Sequence, residues 1–499
     1  MIVTRYREEL YAGHDPETAV VRSLATAGRA VFVAGSTVVV SMAGLFVVGV
    51  GAARSMALAV IAGVLMVMSA SLTLLPALLG FSGRSIDRLR VRTVNVAAVG
   101  ADSWWYRWSR FVQRRPAVVA VVGVVLLGLL AAPVGSMRLG FADAGNRPDT
   151  DTARRAHDLV AAGFGPGHNG PLFVAIDLPA GVTDGERVLG GLVDALAADP
   201  GVAEVHAPIV NPTTGVAMVQ VTPTTSFQDR ATRDLVDRIR EDLVPAVTDA
   251  TDTTVLVGGA AAAVIDFSED QSRRLPLFIA AVLAVSFVLL MFVYRSVLVP
   301  LKAVVMNLLS IGAAYGVLVA VFQWGWGAGL LGVAPGPIEA WVPMMLFAIV
   351  FGLSMDYEVF LLSRIRERYL ATGDNSAAVA DGLARTARLI TAAAAIMVFV
   401  FGGFALSADR ALQLFGFGLA VAVMLDATVV RLLLVPATME LLGDRNWWLP
   451  PWLEQRLPAR SPTTSGPSPV LRAAPEPPPA GAPDIRVADR ERPAEVPVP

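Results

Sequence analysis

The stretch FGLSMDYEVFLLSRIRER, residues 351–368, decides how the chain reads. It opens and continues apolar, carries Asp356 and Tyr357 in its middle, and turns basic about two turns later at Arg364 and Arg366. An ionised carboxylate at bilayer depth costs about 2.5 to 3.5 kcal/mol on the insertion scale, so an aspartate inside a membrane span points to function by default. Whether the stretch is a span depends on the rest of the chain.

The chain of 499 residues is 55% hydrophobic and 16% charged, with a mean hydropathy of +0.59. That is too apolar for a soluble or disordered chain of this size and marks a membrane protein. Net charge is close to zero and the basic residues are almost all arginine, with Lys302 the single lysine. Without clustered Lys and Arg on a soluble part, no nucleic-acid partner is expected. The absence of cysteine excludes disulfides, thiolate metal sites and Cys catalysis.

Eight segments are long and apolar enough to cross a bilayer: about 30–50, 56–80, 117–135, 275–293, 298–322, 342–362, 389–406 and 412–434. The 82–116 stretch holds eight arginines against Asp87 and Asp102, so the positive-inside rule places it in the cytoplasm. Counting spans from there puts 1–29, 364–388 and the C-terminal tail inside, and 136–274 outside. Within 136–274 the alternation of apolar residues predicts strands at 172–178, 202–210, 216–222 and 254–258, with helices at 184–198 and 227–246. That order, βαββαβ, is the split ferredoxin-like motif. Helices at about 151–162 and 260–273 are expected to flank it.

The expected fold class is an α-helical polytopic membrane protein with one α+β ferredoxin-like extracytoplasmic domain. Along the chain this reads as a helix end with an amphipathic segment (1–29), two spans (30–81), an Arg-rich linker (82–116), a span (117–135), the outer domain (136–274) and five spans (275–442). A Trp-rich interfacial segment (443–457) follows, with Trp447, Trp448 and Trp452, then a Pro-rich tail (458–499) expected to be disordered.

An internal repeat runs through the chain. Arg5, Arg7 and Glu8 fall on Arg364, Arg366 and Glu367 at an offset of 359, Arg29 falls on Arg388, and Leu75-Pro76 matches Val435-Pro436 within one residue of it. Such repeats are an architecture of secondary transporters. The repeat partner of Asp356 would lie four residues ahead of Met1, so the chain reads as an incomplete copy whose first half lacks three spans, most of a fourth and an outer domain.

The stretches RSVLVPLKAVVMNLLSIGAAYGVLV (295–319), PIEAWVPMMLFAIVFGLSMDYEVFLLSRIRER (337–368), LDATVVRLLLVPATMELLG (425–443) and NWWLPPW (446–452) resemble the MmpL family of resistance-nodulation-division transporters. The resemblance covers nearly everything to about residue 455. It implies a secondary active exporter of lipids or other hydrophobic compounds, driven by the proton gradient and not an enzyme. It also implies that Asp356 and Tyr357 match the tenth-helix half of a proton relay whose fourth-helix half would lie upstream of Met1. No cofactor and no metal are expected. The implied partners are a lipid or hydrophobic substrate, protons, the bilayer, and a missing first half or further copies of the chain.

From the residues alone, a buried carboxyl beside a tyrosine hydroxyl either moves protons or is a static, hydrogen-bonded group; the resemblance points to the relay. Gly352, one turn before Asp356, lets a neighbouring helix approach closely. Glu358 is read as an interfacial partner of Arg364, on nearly the opposite side of the helix from Asp356. Asp426 and Arg431, with Thr428 as a third member, are read as an ion pair within the bundle or a feeder of the relay. Asn307 and Tyr315 are expected to face the bundle interior as packing groups. Ser36, Thr37, Ser41 and Thr391 are expected either to line the relay or to bond to their own backbone. The histidines His157, His168 and His206 lack ligand-like spacing. The competing function is a non-transporting membrane scaffold or subunit that requires a partner half.

Overall fold

A computed structural model describes residues 2–48, 51–87, 104–178, 182–248 and 253–454. Among these, seven helices are long and apolar enough to cross a membrane: Arg54–Ile86, Pro116–Ser136, Ala260–Tyr294, Leu298–Gln323, Val342–Thr372, Asn375–Phe404 and Arg410–Trp447. Helices are the form such runs take because, in lipid, backbone N–H and C=O groups must find each other within the segment. The protein is thus a helical polytopic membrane protein carrying a small sheet. The span expected at 30–50 is helical over Arg29–Ala43 (α1) and Leu45–Val48, with residues 49–50 outside the described residues. The two pieces meet at Gly44, where a Cβ would lie 2.8 Å from Val282 Cγ2.

Two further bundle helices come before the polar segment, α2 (Gly51–Leu72) and α3 (Pro116–Ala131). The polar segment that follows holds α4 (Thr152–Phe164), β1 (Leu172–Asp177), α5 (Val182–Ala198), β2 (Val202–Val205), β3 (Ile209–Asn211), β4 (Val216–Pro223), α6 (Arg230–Arg238) and β5 (Thr254–Gly258). The chain then returns through α7 (Ala260–Tyr294), α8 (Leu298–Leu318), α9 (Val342–Thr372), α10 (Asn375–Phe404) and α11 (Arg410–Leu425). Helix α9 is central: Phe347, Phe351, Met355, Leu361 and Leu362 are all buried. Helices α2 and α3 are peripheral, presenting Met66, Val121 and Leu129 outward. A face of large exposed apolar side chains suits lipid and would be a liability in water.

The sheet runs in the order β2–β4–β1–β5, antiparallel throughout, with β3 also paired to β4. This is the split arrangement of a ferredoxin-like fold. Val174 on β1 faces Val219 on β4 and Val257 on β5, so the inward residues of three strands meet in register. They bury against Leu192 and Leu196 of α5 and Leu235 of α6. The strand expected as one piece over 202–210 is broken between β2 and β3. His206 N still donates to Gln220 O at 2.9 Å, but Pro208 has no N–H with which to continue the ladder. Residues 179–181 and 249–252, at the helix ends, lie outside the described residues.

The helix expected at 260–273 and the span expected at 275–293 are a single 35-residue helix, α7, with Pro276 inside it. At 1.5 Å per residue it is about 50 Å long. Its first turns place Ala261 and Ile265 in the core of the sheet domain, and its later turns place Phe278, Val282 and Leu290 in the bundle core. One helix therefore belongs to both cores.

The repeat also reaches into cap geometry. The side chain of Asp15 accepts from Thr18 N at 3.0 Å and that of Asp374 from Ala377 N at 3.0 Å, a matched pair of N-caps 359 residues apart. Gly83 and Gly443 end the helices Leu74–Ser82 and Val435–Leu442 with φ of 48° and 53°, and a 3₁₀ turn follows each. Only glycine holds such left-handed backbone without strain. The expected disordered tail, 458–499, lies outside the described residues.

Candidate functional site

Helix α11 runs on from Leu425 into a nine-residue π-helical stretch, Asp426–Leu434. In an α-helix Asp426 and Arg431, five residues apart, would point roughly 140° away from each other. The i→i+5 bonding of a π turn instead stacks them on one face, and π segments inside helices recur at functional sites. Arg431 Nε donates to Asp426 Oδ2 at 3.4 Å. Its Nη2 donates to the carbonyl of Ser354 on α9 and, at 2.8 Å, to the Ser354 hydroxyl. Ser354 Oγ in turn lies 2.8 Å from Asn307 Oδ1 on α8 and 3.0 Å from Asp426 Oδ1. A hydroxyl has one proton to give, so it donates to one of these acceptors at a time.

On the other side of the guanidinium, Arg431 Nη1 is 3.6 Å from Glu358 Oε2. Lys302, on α8, lies in the electrostatic field of both Glu358 and Arg431. All four charged groups are withdrawn from solvent: Arg431 is 0%, Glu358 2%, Asp426 3% and Lys302 8% exposed. Two cations thus offset two carboxylates in a site where one unpaired charge would be strongly destabilising. Three helices, α8, α9 and α11 with its π extension, supply the whole network.

Of the residues singled out by sequence, Asp356 stands on α9 between Ser354 and Glu358, and its side chain lies outside the described residues. The Tyr357 hydroxyl reaches Met397 Sδ on α10 at 3.1 Å. Gly352 packs against α1, where a Cβ would meet Val38 Cγ2 at 3.0 Å. Asn307, Asp426 and Arg431 come together as described. Tyr315 sits elsewhere, donating to the carbonyl of Pro343 at 2.5 Å and tying α8 to the start of α9. Thr428 is not brought into the network: it is exposed, and its hydroxyl donates back to Met424 O at 2.5 Å. Ser36 is half-buried on α1 and makes none of the network's bonds. Ser41 donates to Ala348 O on α9 at 3.0 Å, across helices rather than to its own backbone. Thr391 bonds to Ala387 O one turn earlier.

Glu358 corrects the sequence reading. Arg364 pairs with Glu367 at 3.1 Å instead, while Glu358 turns inward to Arg431. The reason is spacing: Glu358 is four residues after Ser354 and so shares the α9 face against which the π stretch packs. Lys302 was equally legible as the single lysine of the chain, standing within a predicted span.

The described residues thus make a polytopic helical membrane protein with a ferredoxin-like domain and a charged, buried network among its central helices. The MMPL family model matches residues 1–119 and 148–464, and the chain belongs to that family, whose MmpL members are transporters of the resistance-nodulation-division superfamily. The mycolic acid-containing lipids exporter MmpL11 of Mycolicibacterium smegmatis is 37% identical over 92% of this chain and 48% of its own length. The heme uptake protein MmpL11 of Mycobacterium tuberculosis is 39% identical over 92% of this chain and 48% of its own. The translocon-associated membrane protein SecDF of Thermus thermophilus aligns over 88% of this chain and 52% of its own at 13% identity, with a TM-score of 0.48. The chain spans about half the length of the curated relatives it matches.

Proposed function

We propose that the chain serves proton-motive-force-driven export of lipids or other hydrophobic small molecules across a bacterial plasma membrane, with Asp356 and Tyr357 as one half of the proton relay. The observation that carries this reading is the buried network on α9, where Ser354 and Glu358 bracket Asp356 and are joined to Asp426 and Arg431. A site of this kind is costly in a membrane and is retained where protons or ions move. The exporter of mycolic acid-containing lipids among the relatives supports a lipidic substrate. The relative named for heme uptake supports a second reading, in which the transported molecule is heme and moves inward.

In this reading 136–274 is the extracytoplasmic domain and lies on the substrate path, while the Arg-rich segments and the tail face the cytoplasm. A complementary relay half, from further chain or from a partner, completes the proton path. The test is transport of fluorescent lipid and of heme in proteoliposomes under an imposed proton gradient, with the chain in its complete transporter. Asp356→Asn is expected to abolish transport while insertion and helical content persist. Transport retained in that variant overturns the relay assignment.

A further inference from the structure

The network has a second end that the relay reading does not use. Asn307 stands nine residues into α8, about 14 Å from its first residue, and Lys302 four residues in, about 6 Å. Glu358 is likewise one turn beyond Ser354 along α9, toward the basic end at Arg364. The polar groups therefore form a column of two levels. The upper holds Asn307, Ser354 and Asp426; the lower holds Glu358 and Lys302; Arg431 bridges them.

The lower level is incompletely bonded. Glu358 Oε1, Lys302 Nζ and Arg431 Nη1 are buried and make no hydrogen bond among the described residues. Glu358 Oε2 meets Arg431 at 3.6 Å, close enough to pair as ions and too long for a hydrogen bond. A carboxylate whose task is structural is expected to be fully bonded, since a half-satisfied buried charge is worse than an apolar side chain. The other buried carboxylate, Asp426, differs: each of its oxygens lies within reach of a donor, Arg431 Nε and the Ser354 hydroxyl that it shares with Asn307, whose own Nδ2 is unbonded among the described residues.

We propose that Glu358 is a second proton-carrying carboxyl, placed below the level of Asp356 and held by Arg431 and Lys302, so that the proton path leaves the bundle along the first turns of α8. The proposal rests on the proton-coupled reading above. Glu358 takes up one proton on Oε1 and passes from charge −1 to neutral; releasing it to water at the start of α8 restores the carboxylate. Arg431 keeps its own proton. In the neutral state Arg431 is not left bare, because Asp426 remains its partner. The groups that face Glu358 are Arg431 and Asp426 from the π stretch, Lys302 from α8 and Tyr294 from α7, whose hydroxyl donates to Val359 O at 2.7 Å. Asp356 stands on the same helix. Lys302 is a positioning residue in this scheme, since it acts through Glu358.

The test is infrared difference spectroscopy of the full chain in proteoliposomes, titrated over about pH 5 to 9, following the carbonyl stretch that only a protonated carboxyl shows. A pH-dependent acid band with a component from each carboxyl is expected in the wild type; the component that persists in Asp356→Asn is expected to be lost in Glu358→Gln, which keeps the Asp356 component. A Glu358→Gln spectrum that titrates as the wild type does overturns the proposal, whatever Asp356→Asn does to transport. Loss of transport in Asp356→Asn bears on the relay alone, so the two readings fail separately. If Glu358→Gln does not hold its helical signal, the double variant Lys302→Met/Glu358→Gln removes one charge of each sign and carries the same readout.

Discussion

At Arg431 a single guanidinium serves two carboxylates, a serine hydroxyl and a main-chain carbonyl. Its planar fork makes this possible; the point charge of a lysine does not. Arg431→Met is expected to cost about 3 to 5 kcal/mol, because Asp426 loses its cation and Glu358 keeps only Lys302, which leaves one uncompensated buried charge. Thermal unfolding of the helical signal in detergent measures it, and a melt unchanged from wild type rules out a stabilising network. Arg431→Lys is expected to fall between the two, keeping the charge and losing the Ser354 contacts. The types of these residues were legible, since charged side chains in spans stand out in any apolar run. Their partners were not: Glu358 was read toward Arg364 because neighbours along one helix are visible in sequence, whereas Arg431 is 73 residues away and meets it only after packing.

At the scale of elements, the contact of α1 with α9 is set by a missing side chain. Gly352 lies so close to α1 that a Cβ would stand 3.3 Å from the Cα of Val38, and Ser41 bonds to Ala348 O one turn away. Gly352→Leu is expected to push the helices apart and destabilise the bundle by about 1 to 3 kcal/mol. A spin-label distance between α1 and α9 that does not lengthen would show that the site tolerates the bulk. The π stretch is the complementary case. The pairing of Asp426 with Arg431 was anticipated, yet on an α-helix the five-residue spacing forbids it. Hydropathy reports that a segment is helical and apolar; it is silent on an i→i+5 turn, because that choice is made by the neighbouring helices.

Among the described residues the two largest hydrophobic cores, one in the bundle and one under the sheet, are joined by α7, and a smaller one forms around Tyr6 and Leu79. The sheet domain has its own electrostatic clamp: Arg238 donates to both carboxylate oxygens of Asp199, at 3.0 and 2.7 Å, and Gly201 N adds a third bond at 2.7 Å. The Arg238 guanidinium and then the Gly201 amide hold the Asp199 carboxyl below its ordinary value. A carboxyl lowered on folding contributes stability that is complete above its unfolded value, near 4, and fades as pH falls through the folded one. Hydrogen-exchange protection in β1, β4 and β5, taken relative to the intrinsic rate at each pH, is therefore expected to fall below about pH 4, with the bundle helices unaffected. Asp199→Asn is expected to lose about 1 to 3 kcal/mol at neutral pH and to lose its difference from wild type in acid. A difference that persists undiminished in acid assigns the loss to something other than the ion pair.

Length, hydropathy and the period of apolar residues were enough to determine a polytopic helical bundle, the βαββαβ order and the repeat, because each depends on burial or backbone satisfaction summed over many neighbouring residues. The caps at Asp15 and Asp374 belong with these, being local. Tertiary structure decided what depends on helices distant in sequence. It fused the flanking helix and the span into α7, drew the π turn that aligns Asp426 with Arg431, and turned Glu358 inward to meet Lys302 and Arg431. A charge buried in a membrane takes its partners from whichever helices surround it, and that choice is a property of the assembled bundle.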